Sequence, residues 1–586
     1  MKHSKIPLSQ TVVGLCKTLC VRQIVISPGS RNAPLTIGFT HNEFFKCYSI
    51  VDERCAGFFA LGIAQRLQEP VALVCTSGSA LLNYYPAISE AYYSHISLIV
   101  LSADRPKHMV DIGDGQTIKQ KQVYGEHVVY SANLKLDLKD DYQQTKDDEL
   151  PIFKNLENKL ERFLGLQKDI QTYNEIEIQS AIQMAKGQSR PVHLNIPFEE
   201  PLYETTEVSE LKFNLKTRPR VDAEIDSFEL EDALQLWHKA KRKLVLVGVL
   251  QPNSIEAQWL EELARDESVV VFTETTSNLH HKIFFPSIDQ IIAPLDMVGF
   301  EHLKPDIVLT LGGMVVSKKI KAFLRTYKPS EHWHVGPFEA NDTFFLLTKH
   351  FKVSLNAFFS NFFEALTHTI KSDYRSHWLN VKRHRLHQHK AYIKDIPFSD
   401  FKVFSDVIKS LPKNSQLHIG NSSAIRYAQL FNSPESIEVF CNRGTSGIDG
   451  STSTAIGSAS VANQRTTFIT GDLSFFYDSN ALWNNYTPND FRVIIINNQG
   501  GGIFRILPGH KNTENFDIYF ETKHKLTAEH LCKMYGFDYA SAKNQAILER
   551  ELNTFYEDSD RPKVLEIFTP SEINDEILLQ YFDFIK

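Results

Sequence analysis

Short apolar, β-branched runs recur along the chain between longer stretches of helical spacing, and they fall into three blocks. The first holds 21–27, 71–76, 97–102 and 192–196. The second holds 243–249, 268–272 and 306–311. The third holds 416–419, 438–441, 467–470, 492–496 and 564–568. Runs that are apolar throughout and end in a Gly, Ser or Asp turn are the mark of parallel strands buried on both faces. Their alternation with helices predicts an α/β chain of three consecutive open parallel-sheet domains. Boundaries are expected after Pro197-Phe198-Glu199-Glu200-Pro201 and in the stretch 372–400, giving domains 1–200, 201–375 and 376–586. The charge-rich stretch 137–161 reads as a surface excursion carrying a helix. The run 382–390 reads as a solvated linker helix, because its crowded cations repel a metal from its histidines.

Composition narrows the class. The chain has 586 residues, 42% hydrophobic and 23% charged, a soluble globular balance that can bury several cores. A net charge of −7 argues against a general nucleic-acid binder but allows a local basic pocket for an acidic small molecule. The N-terminal residues lack an apolar signal core, and the longest apolar runs, such as 244–250, are far too short for a membrane span. Seven cysteines at 16, 20, 47, 55, 75, 441 and 532 form no CxxC pair. An odd, scattered set fits buried thiols in a reducing cytoplasm better than disulfides or a zinc site.

The third block carries the densest chemistry. It reads Gly471-Asp472-Leu473-Ser474, a helix, the strand 493–496, then Asn497-Asn498-Gln499-Gly500-Gly501-Gly502-Ile503-Phe504. A strand end running straight into a helix leaves backbone N–H groups for a phosphate. Asp472 brings a hard carboxylate to that corner, Asn498 an amide oxygen, and the glycines open carbonyls. Together with phosphate oxygens these make a magnesium shell, at the carboxyl ends of neighbouring strands where open α/β sheets bind ligands. The pattern resembles the thiamine-diphosphate signature Gly-Asp-Gly, 24–27 residues, Asn-Asn; here 25 residues separate Asp472 from Asn498, and Leu473 replaces the last glycine. A literal Gly113-Asp114-Gly115 has no Asn pair at the expected distance and reads as a loop. A structural Asp at a helix cap beside a glycine-rich turn is the plainer alternative.

Thiamine chemistry also needs a carboxylate on the aminopyrimidine ring. In the superfamily that the signature resembles, it opens a helix in the N-terminal domain. Val51-Asp52-Glu53-Arg54-Cys55-Ala56-Gly57 has that form, which makes Glu53 the candidate catalytic residue. A first-turn Glu favoured by the helix dipole is the structural alternative.

Further stretches extend the resemblance: 26–35 (Ile-Ser-Pro-Gly-Ser-Arg-Asn-Ala-Pro-Leu), Asp52-Glu53-Arg54, Thr76-Ser77-Gly78-Ser79-Ala80, Ser102-Ala103-Asp104-Arg105-Pro106, Gln116-Thr117-Ile118, 191–198, Gly420-Asn421-Ser422-Ser423 and 442–450. In this order, and with 471–504, the chain resembles the 2-succinyl-5-enolpyruvyl-6-hydroxy-3-cyclohexene-1-carboxylate synthase family of menaquinone biosynthesis over essentially its whole length. That family tolerates Leu473. The resemblance implies thiamine diphosphate and magnesium as cofactors, with manganese as an alternative ion. It implies a transferase that decarboxylates 2-oxoglutarate and adds the four-carbon unit to isochorismate in 1,4 fashion. It further implies at least a homodimer, with a homotetramer as the usual form, because Glu53 and the metal ligands serve one site from different subunits.

Both substrates are dianions, which call for Arg forks and hydroxyl or amide donors. Arg31, Arg105 and Arg443 each follow a predicted strand. Arg426 lies four residues after Ser422, so a helix starting there puts both at one end. By resemblance, substrate positions are Ser30, Arg31, Arg105, Gln116, Lys318, Lys319, Ser422, Arg426, Arg443, Phe504 and Leu507; some relatives carry Arg at Lys319. By the same resemblance Ser422, Ile448, Gly471, Asp472, Leu473, Ser474, Asn498, Gly500, Gly501, Ile503 and Phe504 contact the cofactor, Ile448 beneath it to enforce its bent shape. Asp472, Asn498 and Gly500 hold the metal. The rival readings are another thiamine-dependent 2-oxo-acid decarboxylase or acetohydroxyacid-synthase-like carboligase, and a non-catalytic protein retaining the fold.

Overall fold

The computed structural model describes residues 2–137, 166–207, 213, 224–506 and 513–586. The expected excursion lies outside them beyond Asp137, and so does Leu507. By internal packing the chain divides into two compact units. One comprises Met1–Arg220, Thr452–Asn463 and Asp478–Pro488; the other comprises Val221–Ser451, Gln464–Tyr477 and Asn489–Lys586.

The first unit is built on six parallel strands: β1 (Gln23–Ile26), β2 (Lys46–Ser49), β3 (Val71–Cys75), β4 (Leu98–Asp104), β5 (Tyr130–Asn133) and β6 (Val192–Pro197). They lie in the order β2-β1-β3-β4-β6-β5. The central strands are buried at nearly every position, as their unbroken apolar runs require.

Helix Glu53–Leu67 follows β2. The carboxylate of Asp52 caps it by accepting the Cys55 N–H at 3.2 Å. Its glycines set its packing. A Cβ on Gly62 would stand 2.0 Å from the Thr454 carbonyl oxygen, and one on Gly457 would stand 2.0 Å from that of Phe59. Two backbones therefore meet with no side chain between them. The buried Asp478 carboxylate joins the start of this helix to that of helix Ser451–Ala459, accepting from Ser453 N at 2.7 Å, Ser453 Oγ at 2.9 Å and Cys55 Sγ at 3.6 Å. Asn480 donates to Asp52 at 2.8 Å, and the Ser49 N–H donates to the Tyr486 hydroxyl at 2.8 Å. Segments far along the chain thus brace the β2–helix junction.

The second unit holds two parallel sheets. One comprises β7 (Lys243–Val247), β8 (Val269–Phe272), β9 (Ile307–Leu311), β10 (Glu331–Val335) and β11 (Lys349–Phe351), ordered β8-β7-β9-β10-β11. The other comprises β12 (Gln416–Ile419), β13 (Glu438–Phe440), β14 (Thr466–Gly471), β15 (Arg492–Asn497), β16 (Asp538–Ala542) and β17 (Lys563–Phe568), ordered β13-β12-β14-β15-β17-β16. The first and last sheets share one winding, and in each the order reverses between its first and third strands.

The cation-rich run 382–390 lies in helix Tyr374–Asp395, which is not solvated all round. Trp378, Arg385, His389, Tyr392 and Ile393 are buried; Arg385 donates to Gln290 O at 2.9 Å and His389 Nδ1 meets the Tyr581 hydroxyl at 2.8 Å. Among the described residues no helix is long and apolar enough to cross a membrane.

Candidate active site

In the first unit the expected residues gather at the carboxyl ends of the strands. The loops after β1 and β3 interlock at the point of reversal: a Cβ on Gly29 would lie 2.3 Å from Thr76 Cβ, and the Arg31 N–H donates to Thr76 Oγ1 at 3.3 Å. The Arg31 side chain is buried, donates to Phe198 O at 3.1 Å and pairs with Glu200 at 3.2 Å. Burial lowers its pKa, opposed by Glu200 and reinforced by the nearby Arg105. Arg105, after β4, pairs with Asp114 at 2.9 Å and donates to Gly115 O at 3.1 Å. The Gly113-Asp114-Gly115 segment is therefore a loop that holds an arginine. Gln116 has φ +55, its backbone packed over Gly78, and Ser30 is exposed. Glu53 opens its helix half-buried, with Oε2 accepting from Asn83 Nδ2 at 3.2 Å.

In the third sheet, β14 runs through Gly471 directly into helix Asp472–Tyr477, as the residue pattern predicts. Asp472 is 2% exposed. Its Oδ1 accepts the Leu473 N–H at 2.7 Å and its Oδ2 the Gly500 N–H at 3.0 Å. A Cβ on Gly471 would meet nothing within 4 Å, so open space faces this corner. Ser474 Oγ donates to Ile448 O at 2.7 Å, joining two of the cofactor candidates, and the Ile448 side chain is an exposed apolar group. Gln499, between Asn498 and Gly500, takes φ +66, in a region an L-residue enters at a cost of order 1–3 kcal/mol. The Gly501 N–H donates to Glu521 O at 2.6 Å, while the Glu521 carboxylate forms a buried two-pronged pair with Arg505. Ile503 and Phe504 are partly exposed on this loop.

Three features of this corner escape motif reading. The Asn498 amide nitrogen donates to the buried Asp400 carboxylate at 2.9 Å, and Asp400 accepts also from Thr569 at 2.6 Å. That bond turns the Asn498 oxygen the other way. His524 Nε2 lies 3.3 Å from Asp472 Oδ2. Arg505 and Glu521 clamp the glycine loop. Asp400 opens a helix far upstream, so only its contacts reveal it. Among the described residues no group of three His, Cys, Asp or Glu side chains could hold a metal. A cation here would need one carboxylate, an amide, a carbonyl and oxygens from its ligand, which is the hard-oxygen set that suits magnesium.

Around β12 a cationic edge forms. Ser422 adopts φ +68 and ψ −123 before helix Ser423–Ala428, and Arg426 donates back to Ser422 O. Arg443 is 8% exposed; Nη1 donates to Asn421 Oδ1 at 2.7 Å, and its Nε is buried without a partner among the described residues. Asn421 in turn donates to Asn442 O and Gly447 O, both at 2.7 Å, pinning the loop that carries Arg443. Burial lowers the Arg426 pKa, and Arg443 lowers it further against Asp289. Lys321 behaves alike, lowered by burial and Arg443. Glu274, pushed up to about 7 by burial, accepts the Val316 and Ser317 N–H groups and fixes the turn before Lys318. A guanidinium buried with an unmet N–H beside other cations calls for an anion. Lys318 and Lys319 are exposed on helix Lys318–Thr326, and the Lys319 ammonium sits 5.1 Å over the Phe582 ring.

Residues 7–124 match the family model of the thiamine pyrophosphate enzyme N-terminal TPP binding domain, and 214–419 match the middle domain of thiamine pyrophosphate family. The chain is 53% identical over 596 aligned residues to the 2-succinyl-5-enolpyruvyl-6-hydroxy-3-cyclohexene-1-carboxylate synthase of Christiangramia forsetii, covering 100% of both chains. It is 52% identical over 585 residues to the protein of that name from Flavobacterium psychrophilum, covering 99% of each. The fold is that of the benzoylformate decarboxylase crystal structure from Polynucleobacter necessarius, with a TM-score of 0.68 at 15% identity, covering 96% of this chain and 99% of that one. The chain belongs to the 2-succinyl-5-enolpyruvyl-6-hydroxy-3-cyclohexene-1-carboxylate synthase family of thiamine pyrophosphate enzymes.

Proposed function

We propose that this enzyme decarboxylates 2-oxoglutarate and joins the remaining four-carbon unit to isochorismate in 1,4 fashion, releasing carbon dioxide and forming 2-succinyl-5-enolpyruvyl-6-hydroxy-3-cyclohexene-1-carboxylate. The end-to-end relationship to proteins named for that product carries the reading. When bound, thiamine diphosphate supplies the electron sink that decarboxylation requires. Asp472, Asn498 through its oxygen, and the Gly500 carbonyl would hold magnesium and, through it, the diphosphate; manganese has the same ligand preference. Glu53, steadied by Asn83, would hold a proton toward the aminopyrimidine ring. Ile448 offers an apolar support, and Ile503 and Phe504 an apolar wall that keeps water from the reacting carbons. Arg31, Arg105 and Gln116 in one unit, and Ser422, Arg426 and Arg443 in the other, would receive substrate carboxylates; Lys318 and Lys319 are long, exposed cations within the same second unit.

The test is incubation with both substrates under mass detection, omitting thiamine diphosphate or magnesium in turn. The coupled product should appear only in the complete mixture. Succinic semialdehyde with isochorismate unconsumed would mean a simple decarboxylase. The working unit is at least a homodimer, with a homotetramer as the family form, in the cytoplasm. Glu53→Gln and Asp472→Ala chains, each inactive alone, should regain activity when co-assembled, because one of the two shared sites is then intact. Failure of mixed assemblies to recover would place both residues' work within one chain.

A further inference from the structure

His524 stands outside every motif quoted above, yet its ring is built into the magnesium corner. Its backbone N–H donates to Gln499 O at 3.2 Å, which ties it to the turn between Asn498 and Gly500. The Leu526 N–H points at its Nδ1 from 3.1 Å. Nδ1 is therefore an acceptor, and the neutral ring carries its proton on Nε2. Phe476, on the helix that Asp472 opens, meets the imidazole edge-on with centroids 5.6 Å apart. Nε2 lies 3.3 Å from Asp472 Oδ2, and the two side chains are 12% and 3% exposed. It is buried there without an aligned hydrogen bond to any described group. Three contacts thus hold the ring, and its one donor nitrogen stands beside the carboxylate, short of an aligned bond and with no other partner among the described residues.

We propose that His524 is a positioning residue of the metal site, donating from Nε2 to Asp472 Oδ2 so that Oδ1 is the oxygen presented to the cation. This rests on reading Asp472 as a magnesium ligand. An ionised carboxylate has about four lone-pair positions. The Leu473 N–H occupies one on Oδ1, and the Gly500 N–H one on Oδ2. A small turn of the ring that aligns the His524 N–H would fill the second on Oδ2 and leave a single position, on Oδ1. The ring thereby selects one carboxylate geometry, as partners behind metal ligands do.

Manganese binding in the presence of thiamine diphosphate, followed by electron paramagnetic resonance of the free ion, tests this without reference to turnover. His524→Ala should weaken manganese binding by about 10–100-fold. It should raise the magnesium concentration for half-maximal activity more than it lowers kcat. His524→Gln, whose amide nitrogen reaches the Nε2 position, should recover most of the affinity, and His524→Asn, which is shorter, should not. That Gln–Asn pair decides the matter even where the alanine variant folds poorly. Wild-type affinity in both Ala and Asn variants overturns the proposal. Tighter binding overturns it too, since the ring would then be occupying the cation's own place. Asp472→Ala serves as the separate control: unchanged manganese binding there would remove the site reading itself, whatever His524 does.

Discussion

The amide of Asn498 has a donor face and an acceptor face, and its neighbours decide which one meets a cation. Asp400 takes the donor face, so the oxygen is the face that the proposed metal would meet. Burial pushes the Asp400 pKa up to about 6, and the bonds from Thr569 and Asn498 work against that rise and favour the accepting carboxylate. Replacing Asp400 with Ala removes the acceptor and frees the amide to turn over. Isothermal titration of magnesium in the presence of thiamine diphosphate should then show a loss of about 10–100-fold in affinity, and unchanged binding would mean that Asp400 has no hold on the amide's orientation. Glu53 poses the opposite case, a residue whose loss should leave binding intact. Its helix start is held by Asp52, Asn480 and Asp478, so Glu53→Gln keeps the local frame. Turnover should fall by at least about 100-fold, the usual contribution of a positioned acid or base, with thiamine diphosphate still bound by circular dichroism. Undiminished turnover would remove Glu53 from the chemistry.

Among the elements, the strands missed by pattern reading are informative. Lys46–Ser49, Tyr130–Asn133, Lys349–Phe351 and Asp538–Ala542 all lie at sheet edges. Edge strands are only partly buried, so their sequences carry few apolar positions and no continuous run to detect. Glu331–Val335 is interior but reads Glu-His-Trp-His-Val, with its histidines masking the period. The contact between helices Glu53–Leu67 and Ser451–Ala459 was equally hidden, since glycine gives no hydrophobic signal. Gly62→Val should destabilise the first unit by roughly 1–3 kcal/mol or more, as overpacking does, and should also lower activity by displacing Glu53. A thermal melt equal to that of the parent would show that the helices can separate freely.

For the whole molecule, buried titratable groups act in opposition. His193, His332 and His389 are lowered by burial to about 3, 4 and 4. As pH falls below 6.5 the unfolded chain binds protons that these folded imidazoles refuse, so each subtracts stability. Glu274, Asp400 and Asp478 are raised by burial to about 7, 6 and 6. Their folded forms keep protons that the unfolded chain has lost, so each adds stability as pH falls through its folded value. Between about pH 4.5 and 6 each of these six groups contributes a slope of about 1.4 kcal/mol per pH unit, three of each sign, so their effects on the apparent Tm should nearly cancel. His193→Gln removes one subtracting group, so its Tm should rise relative to the parent as pH drops across that window; parallel profiles would exclude His193 as a contributor. Sequence alone determined the α/β class, the central strands, the Gly471–Asp472 corner and the arginines after strand ends, because burial on both faces demands unbroken apolar runs and their ends are marked by small and polar turn residues. Tertiary structure alone decided that Asp400 orients Asn498, that His524 stands behind Asp472, and that Asp478, Asn480 and Tyr486 brace the start of the Glu53 helix. Those roles belong to ordinary polar residues far apart in the chain, and nothing but the folded contacts distinguishes them from the many others of their kind.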